Sequence, residues 1–246
     1  MRIDERLRAV AALVPPESRV ADIGSDHAYL AMYLWRTCGA ARVIAADKNE
    51  GPCEAARKMI KNAGLASEIP VRCGDGLSVL SLGEVDVVCI AGMGGALIAR
   101  ILAASPQVLA SLRRLVLQPM NDAPLLRRWL YEHGWHLTVE TLAQADGRIY
   151  EIMAAEPGRE EIPAEELLFI GPCLWEEKPP LLAIHIDGIV KRARRVAAGM
   201  EKSPAARQSE SYRKLRGRFG GGQLFPLYLE LPEELRLERA RRREEE

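Results

Sequence analysis

The sequence predicts an α/β fold: a doubly wound, mainly parallel sheet finished by an antiparallel hairpin, with a helical appendage after it. Three observations predict it. Short unbroken apolar runs, such as Val87-Val88-Cys89-Ile90-Ala91, alternate with helical periodicity from the N-terminus to about residue 133, as strands covered by helices on both faces do. Two longer strand-like runs follow, joined by Asp146-Gly147, a hairpin turn pair. Beyond Pro180 the texture becomes helical and basic.

Taken in order, Asp4 is placed to cap a short helix with Leu7, Val10, Ala11 and Val14 on one side, and Pro15-Pro16 ends it. Strands are expected at about 19–24, 42–47, 69–73, 85–91 and 114–118, and helices at about 27–37, 51–63, 77–81, 94–104 and 122–133. Such alternation implies right-handed crossovers and a parallel sheet. Trp135 to Leu142 and Arg148 to Ala155 form the hairpin. Five parallel strands closed by an antiparallel hairpin make the seven-stranded, Rossmann-like sheet of class I methyltransferases, whereas a dinucleotide domain would continue with another strand-helix unit. The charged, proline-flanked segment Pro157 to Pro163 marks a boundary, giving expected domains at 1–160 and 161–246. In the second, Leu182, Ile186, Ile189, Ala193, Val196 and Met200 are spaced as a heptad seam. A second helical piece at about 205–217 follows Ser203-Pro204, which suggests an antiparallel, coiled-coil-like hairpin. Gly220-Gly221-Gly222 then precedes a charge-dense tail.

Of the 246 residues, 48% are apolar, enough for a large core, and the net charge is zero. Any nucleic-acid surface must therefore be local. Residues 181–220 supply one: ten Lys and Arg against three acids, an excess of +7. Lys191, Arg192, Arg194 and Arg195 interleave with the seam and are the candidate RNA-binding residues; a solvated helix face is the plainer alternative. The longest uncharged run, Val87 to Ala99, has 13 residues, short of the ~20 a membrane span needs. No secretory signal is read ahead of Asp4. Five scattered cysteines without C-x-x-C spacing read as free thiols in a reducing cytoplasm, and four scattered histidines give no metal site.

The densest signal is Val20-Ala21-Asp22-Ile23-Gly24-Ser25-Asp26-His27-Ala28-Tyr29. Read as G-x-G-x-x-G from Gly24, it holds Asp26 and Tyr29 where glycines belong. A carboxylate at a helix start repels pyrophosphate and tolerates a ligand bearing a sulfonium and an amino group, so the pattern argues against NAD and suits S-adenosylmethionine. Three more stretches sit at expected strand ends. Asp47, 25 residues after Asp22, is placed to accept ribose hydroxyls. Gly74-Asp75-Gly76 offers an acid to an adenine amino group, and Ala91-Gly92-Met93 opens a glycine-rich loop. A helix cap, a tight turn and packing glycines are the structural alternatives. Four such stretches after four successive strands point to one cofactor site.

The chemistry narrows by absence. No N/D-P-P-Y/F follows the fourth strand, and no Pro-Cys nucleophile follows the fourth or fifth. At this point the chain resembles the bacterial TrmK family of tRNA (adenine-22-N1)-methyltransferases. The resemblance rests on Arg6-Leu7, Ala21 to Leu30, Gly74-Asp75-Gly76, Ile90 to Ile98, Leu117-Gln118-Pro119, Arg128-Trp129-Leu130, Tyr150-Glu151 and Gly171-Pro172. After Gln118-Pro119 the family usually carries Asn; here Met120 stands there and Asn121 follows. The resemblance implies a SAM-binding domain, a helical hairpin, and methyl transfer from S-adenosylmethionine to N1 of a D-loop adenine in tRNA; a monomer is expected, in the cytoplasm to which the cysteines point. Asp22, Gly24, Asp47, Gly74, Asp75, Gly76, Ala91, Gly92 and Met93 are then the cofactor-side residues. Asp26, His27 and Arg6 are the reaction-side residues. The alternatives are a methyltransferase of another RNA site or a small molecule, and a non-catalytic RNA-binding protein with a relic SAM domain.

Overall fold

The computed structural model, which describes residues 3–210, 212 and 213, begins at the expected cap: the Asp4 carboxylate accepts the Leu7 N–H at 2.7 Å and starts α1 (Glu5–Ala12). There follow β1 (Arg19–Ile23), a 3-10 turn (Asp26–Ala28), α2 (Tyr29–Thr37), β2 (Arg42–Asp47), α3 (Glu50–Asn62), β3 (Val71–Cys73) and a 3-10 turn (Gly76–Val79). Next come β4 (Val87–Met93), α4 (Gly95–Ala103), α5 (Pro106–Ala110), β5 (Arg114–Pro119) and α6 (Ala123–Glu132), then β6 (Trp135–Ala145) and β7 (Arg148–Pro157). Three elements depart from expectation. The helix placed at 77–81 is only a 3-10 turn, because Gly76 is left-handed (φ +55) and the Ser78 hydroxyl donates back to the Asp75 carbonyl. α2 begins two residues late, because His27 and Ala28 are both left-handed. α5 is additional; Ser105-Pro106, a proline in the first turn, is the signal for it.

The seven strands lie in the order β3-β2-β1-β4-β5-β7-β6. β1 to β5 are parallel, and β7 runs antiparallel to both β5 and β6. The order reverses between β1 and β4, so a ligand crevice is expected at the carboxyl ends of those strands. Alternation along the strands divides the core. Val20, Val43, Ala45, Val87, Cys89 and Val116 pack with residues of α1, α2 and α3. The intervening Ala21, Ile44, Val88, Ile90, Leu115 and Leu117 are equally buried and face the other way, toward the side covered by α4 and α6. The β4–β5 pairing slips between Ala91 and Met93. That irregularity falls on Gly92, which is left-handed at φ +80.

One ion-pair cluster lies in the interior, centred on Arg127. Arg127 of α6 is 0% exposed and gives Nε to Glu140 of β6 at 2.7 Å and Nη2 to Glu151 of β7 at 2.6 Å. Burial opposes its charge, and the two carboxylates more than offset that and hold the guanidinium protonated. The cysteine expectation needs a correction. Cys53 and Cys73, with Cα atoms 6.1 Å apart, are joined as a disulfide, while Cys38, Cys89 and Cys173 are free. Spacing does not reveal this pair, because α3 and β3 are brought together by the crossover.

The chain divides into two units between Ile162 and Pro163. The second contains α7 (Glu165–Ile170), α8 (Pro172–Glu177), α9 (Leu182–Met200) and α10 (Pro204–Gln208). Leu182, Ile186, Ile189 and Ala193 of the seam are buried, but Val196 is 54% exposed. α9 packs on α7, and buried His185 places Nε2 3.2 Å from the Ile170 carbonyl. The seam's first half is thus covered by α7, a helix the heptad pattern does not name. Of the expected second arm at 205–217, residues 205–210, 212 and 213 are described and begin as α10; the rest of the arm and the tail lie outside the described residues. What is described turns back: the Tyr212 hydroxyl donates to Glu201 at 2.8 Å. No helix among the described residues is long and apolar enough to cross a membrane, and none of their side chains cluster as a metal site.

Candidate active site

The connections after β1 to β4 all leave the carboxyl edge of the sheet. The turn after β1 is clasped to β2: Gly24 and Ser25 both donate N–H to the Ala46 carbonyl, at 2.8 and 2.9 Å. Gly24 is left-handed (φ +80), and a Cβ there would overlap the Met93 methyl. Asp22 lies beneath this turn, 4% exposed, accepting from the Ser25 hydroxyl and the Ala31 backbone. Burial pushes its carboxyl up to about 6, against those hydrogen bonds. Asp22 therefore holds the loop from below. Asp26 and His27 stand outside it, their side chains 72% and 48% exposed, with Asp26 Oδ1 3.5 Å from His27 Nε2. Asp26 caps nothing: neither the 3-10 turn nor α2 has a side-chain cap.

The next two connections carry the other acids. Asp47 commits Oδ1 to the Asn49 N–H at 2.9 Å, which leaves Oδ2 for a ligand. Its carbonyl accepts the Gly74 N–H at 3.0 Å, tying the turn after β3 to the end of β2. Asp75 is 68% exposed and paired with Lys48 at 2.8 Å. Such a surface pair contributes at most about 1 kcal/mol and yields readily to a competing ligand. Gly76 has a packing reason as well, since a Cβ there would stand 2.8 Å from Ile101.

On the β4 side, Arg6 reaches over from α1. Its Nη1 donates to the Gln118 side-chain oxygen at 2.8 Å, and its Cζ lies 5.8 Å from the centre of the Tyr150 ring. Gly92 donates its N–H to the same Gln118 oxygen at 3.1 Å. Arg6 and Gly92, expected for separate reasons, thus meet through Gln118, which the family resemblance includes without giving it a role. The available signal is a polar side chain closing the apolar run Leu115-Val116-Leu117. No hydrogen bond or ion pair among the described residues links Arg6 to Asp26 or His27.

The chain and its fold match known proteins. A methyltransferase-domain family model covers residues 3–153. The tRNA (adenine(22)-N(1))-methyltransferase of Bacillus subtilis is 40% identical over 183 residues, 72% of this chain and 77% of that one. The chain belongs to the TrmK family. The crystal structure of B. subtilis TrmK superposes with a TM-score of 0.81 at 34% identity, covering 94% of this chain and 98% of that one. A Streptococcus pneumoniae structure solved in complex with S-adenosyl-L-methionine gives 0.77 at 33% identity, covering 92% and 100%. Against the TrmK pattern, Met120 is 46% exposed. Asn121, one position on, lays its Oδ1 against Gly94, where a Cβ would come within 2.7 Å of it. An asparagine side chain thus stays beside the glycine loop, one residue later in the chain. Lys191, Arg192, Arg194 and Arg195 are all placed on α9, with Lys191 pairing with Asp187 at 2.9 Å. Arg192, Arg194 and Arg195 are exposed.

Proposed function

We propose that this protein transfers the methyl group of S-adenosylmethionine to N1 of adenine 22 in the D-loop of tRNA, working as a monomer in the cytoplasm. One observation carries the substrate: the Bacillus subtilis relative of that activity is 40% identical over 183 residues. The site suits the cofactor. Two left-handed glycines, Gly24 and Gly92, open the backbone on either side of the β1/β4 switch point. Asp47 keeps one carboxylate oxygen for the ribose, Asp75 serves the adenine amino group in exchange for Lys48, and Gly74 holds the two loops together. Ala91 and Met93 line the β4 side, and Asp22 acts through the turn it supports. When bound, S-adenosylmethionine supplies an electrophilic methyl on a sulfonium.

Neutral adenine has a lone pair at N1, so the protein need not supply a strong base. Its contribution is alignment and charge. Asp26, exposed and uncapped, stabilises the positive charge that develops on the base or holds its exocyclic amine. His27 beside it orients the base, and Arg6 holds a phosphate of the folded-out nucleotide. Lys191, Arg192, Arg194 and Arg195 track the RNA backbone. Incubation with labelled S-adenosylmethionine and unmodified tRNA, followed by nucleoside analysis, should yield 1-methyladenosine. Labelled N6-methyladenosine formed directly, or cofactor binding with no transfer to any tRNA, would overturn this assignment.

A further inference from the structure

We propose that Gln118 is a positioning residue for methyl transfer: one carboxamide oxygen fixes the Arg6 guanidinium and the turn at Gly92 in a single register at the mouth of the site. The proposal rests on the methyl-transfer function above and adds a residue to it.

Gln118 is 0% exposed, yet it lies near the end of β5, at the edge where the ligand crevice opens. A buried carboxamide is costly unless its hydrogen bonds are made. Here they are, and they determine which way the amide faces. Nε2 donates to the Pro119 carbonyl at 2.9 Å and lies 3.7 Å from the Met120 sulfur. The oxygen faces two donors, Arg6 Nη1 at 2.8 Å and the Gly92 N–H at 3.1 Å. An amide oxygen has two lone pairs, and both are used. A flipped amide would set its NH2 against two donors, so one orientation survives.

The backbone explains why this oxygen is needed. The slip in β4–β5 pairing falls at Gly92, whose N–H goes to the side chain of Gln118 instead. Arg6 lies beside Gly92 as well, since a Cβ there would stand 3.5 Å from Nη1. Tyr150 covers the guanidinium from β7. Of the five guanidinium N–H groups, the structure commits one to Gln118. Nη2 lies 3.6 Å from Asp4, leaving donors for an RNA phosphate. Without the shared acceptor, Arg6 and the Gly92 turn would move independently. A misplacement of about 1 Å at a reacting centre is enough to cost about 100-fold in rate.

The test is Gln118→Met, of similar size without an acceptor, against Gln118→Glu, which keeps an oxygen for both donors. Turnover on tRNA, KM for tRNA, cofactor affinity and thermal midpoint are measured on the full chain. Gln118→Met should lower kcat about 10- to 100-fold with cofactor affinity changed by less than about threefold. Gln118→Glu should recover most of that loss. In an Arg6→Ala background, Gln118→Met should cost little more, since the two act as a unit. Should Gln118→Met not fold, Gln118→Asn, whose oxygen withdraws by one methylene, should show the same kcat deficit. A folded Gln118→Met or Gln118→Asn with wild-type kcat overturns the proposal, as does a loss fully additive with Arg6→Ala. Equal falls in cofactor affinity, kcat and thermal midpoint in both Met and Glu variants assign Gln118 a structural role only. Wild-type protein forming no 1-methyladenosine overturns the functional assignment and this proposal with it.

Discussion

Asp22 shows how a single buried side chain sets conditions for the rest of the site. Its carboxyl is pushed up to about 6, while the unfolded chain titrates it near its ordinary value of 3.8. The folded form therefore keeps its proton to higher pH. Below about pH 4 both states are protonated and nothing is lost. As pH rises from about 4 to 6 the unfolded state ionises first, and stability falls by an amount on the order of 3 kcal/mol. Asp22→Asn should remove that slope, so urea denaturation between about pH 4 and 7 should show wild type losing stability that the variant keeps. Identical profiles would reject the buried charge. Residues of this kind are legible in the sequence when their meaning is local. Asp22, Gly24 and Asp26 sit together at the end of β1 and in the turn after it, and strand-end chemistry singles them out. Gln118 is visible within Leu117-Gln118-Pro119, but its task is not legible, because its partner Arg6 lies 112 positions away and only the fold brings them together.

At the scale of elements, the hairpin β6–β7 is tied to α6 by the Arg127 pairs. Arg127→Met should destabilise the protein by about 3–5 kcal/mol, because it strands Glu140 in the interior without its guanidinium. An unfolding free energy lowered by less than about 1 kcal/mol in denaturant titration would show that water or another cation reaches the carboxylate. Replacing all three members with apolar residues should recover much of the loss. Elements with strong periodicity or sharp punctuation are readable in advance. β2 spans the expected residues, and Asp146-Gly147 turns the hairpin with both residues left-handed. Short elements escape: α7 and α8 have six residues each, too few for a period to declare itself. The disulfide escapes for another reason, since its half-cystines are neighbours only after a crossover.

For the whole molecule, the proposed function assigns the two units separate tasks. The first carries the cofactor edge; the second carries a net positive helix in a chain of zero net charge. With Lys191, Arg192, Arg194 and Arg195 on α9, tRNA affinity should depend steeply on salt. Arg192→Glu with Arg195→Glu should weaken tRNA binding and flatten the plot of log affinity against log salt, by about 0.7–0.9 for each phosphate the helix no longer neutralises. Cofactor affinity should not change. An unaltered slope would reduce the basic face to solvated surface. Composition changes at the charged, proline-flanked segment Pro157 to Pro163. What composition does not foreshadow is that α7 covers the first half of the seam.

Gly94 and Gly95 have a consequence for the history of this chain. A Cβ at position 95 would meet the Asp122 carbonyl of the main chain at 2.5 Å, and no choice of side chain at 122 removes a backbone atom. A Cβ at position 94 would meet only the Asn121 side chain. Position 95 is closed to substitution in any lineage that keeps this turn. Position 94 is open on condition: the end of the Asn121 side chain must turn aside or be shortened. Two adjacent glycines, indistinguishable as letters, therefore differ in the mutational paths that lead away from them.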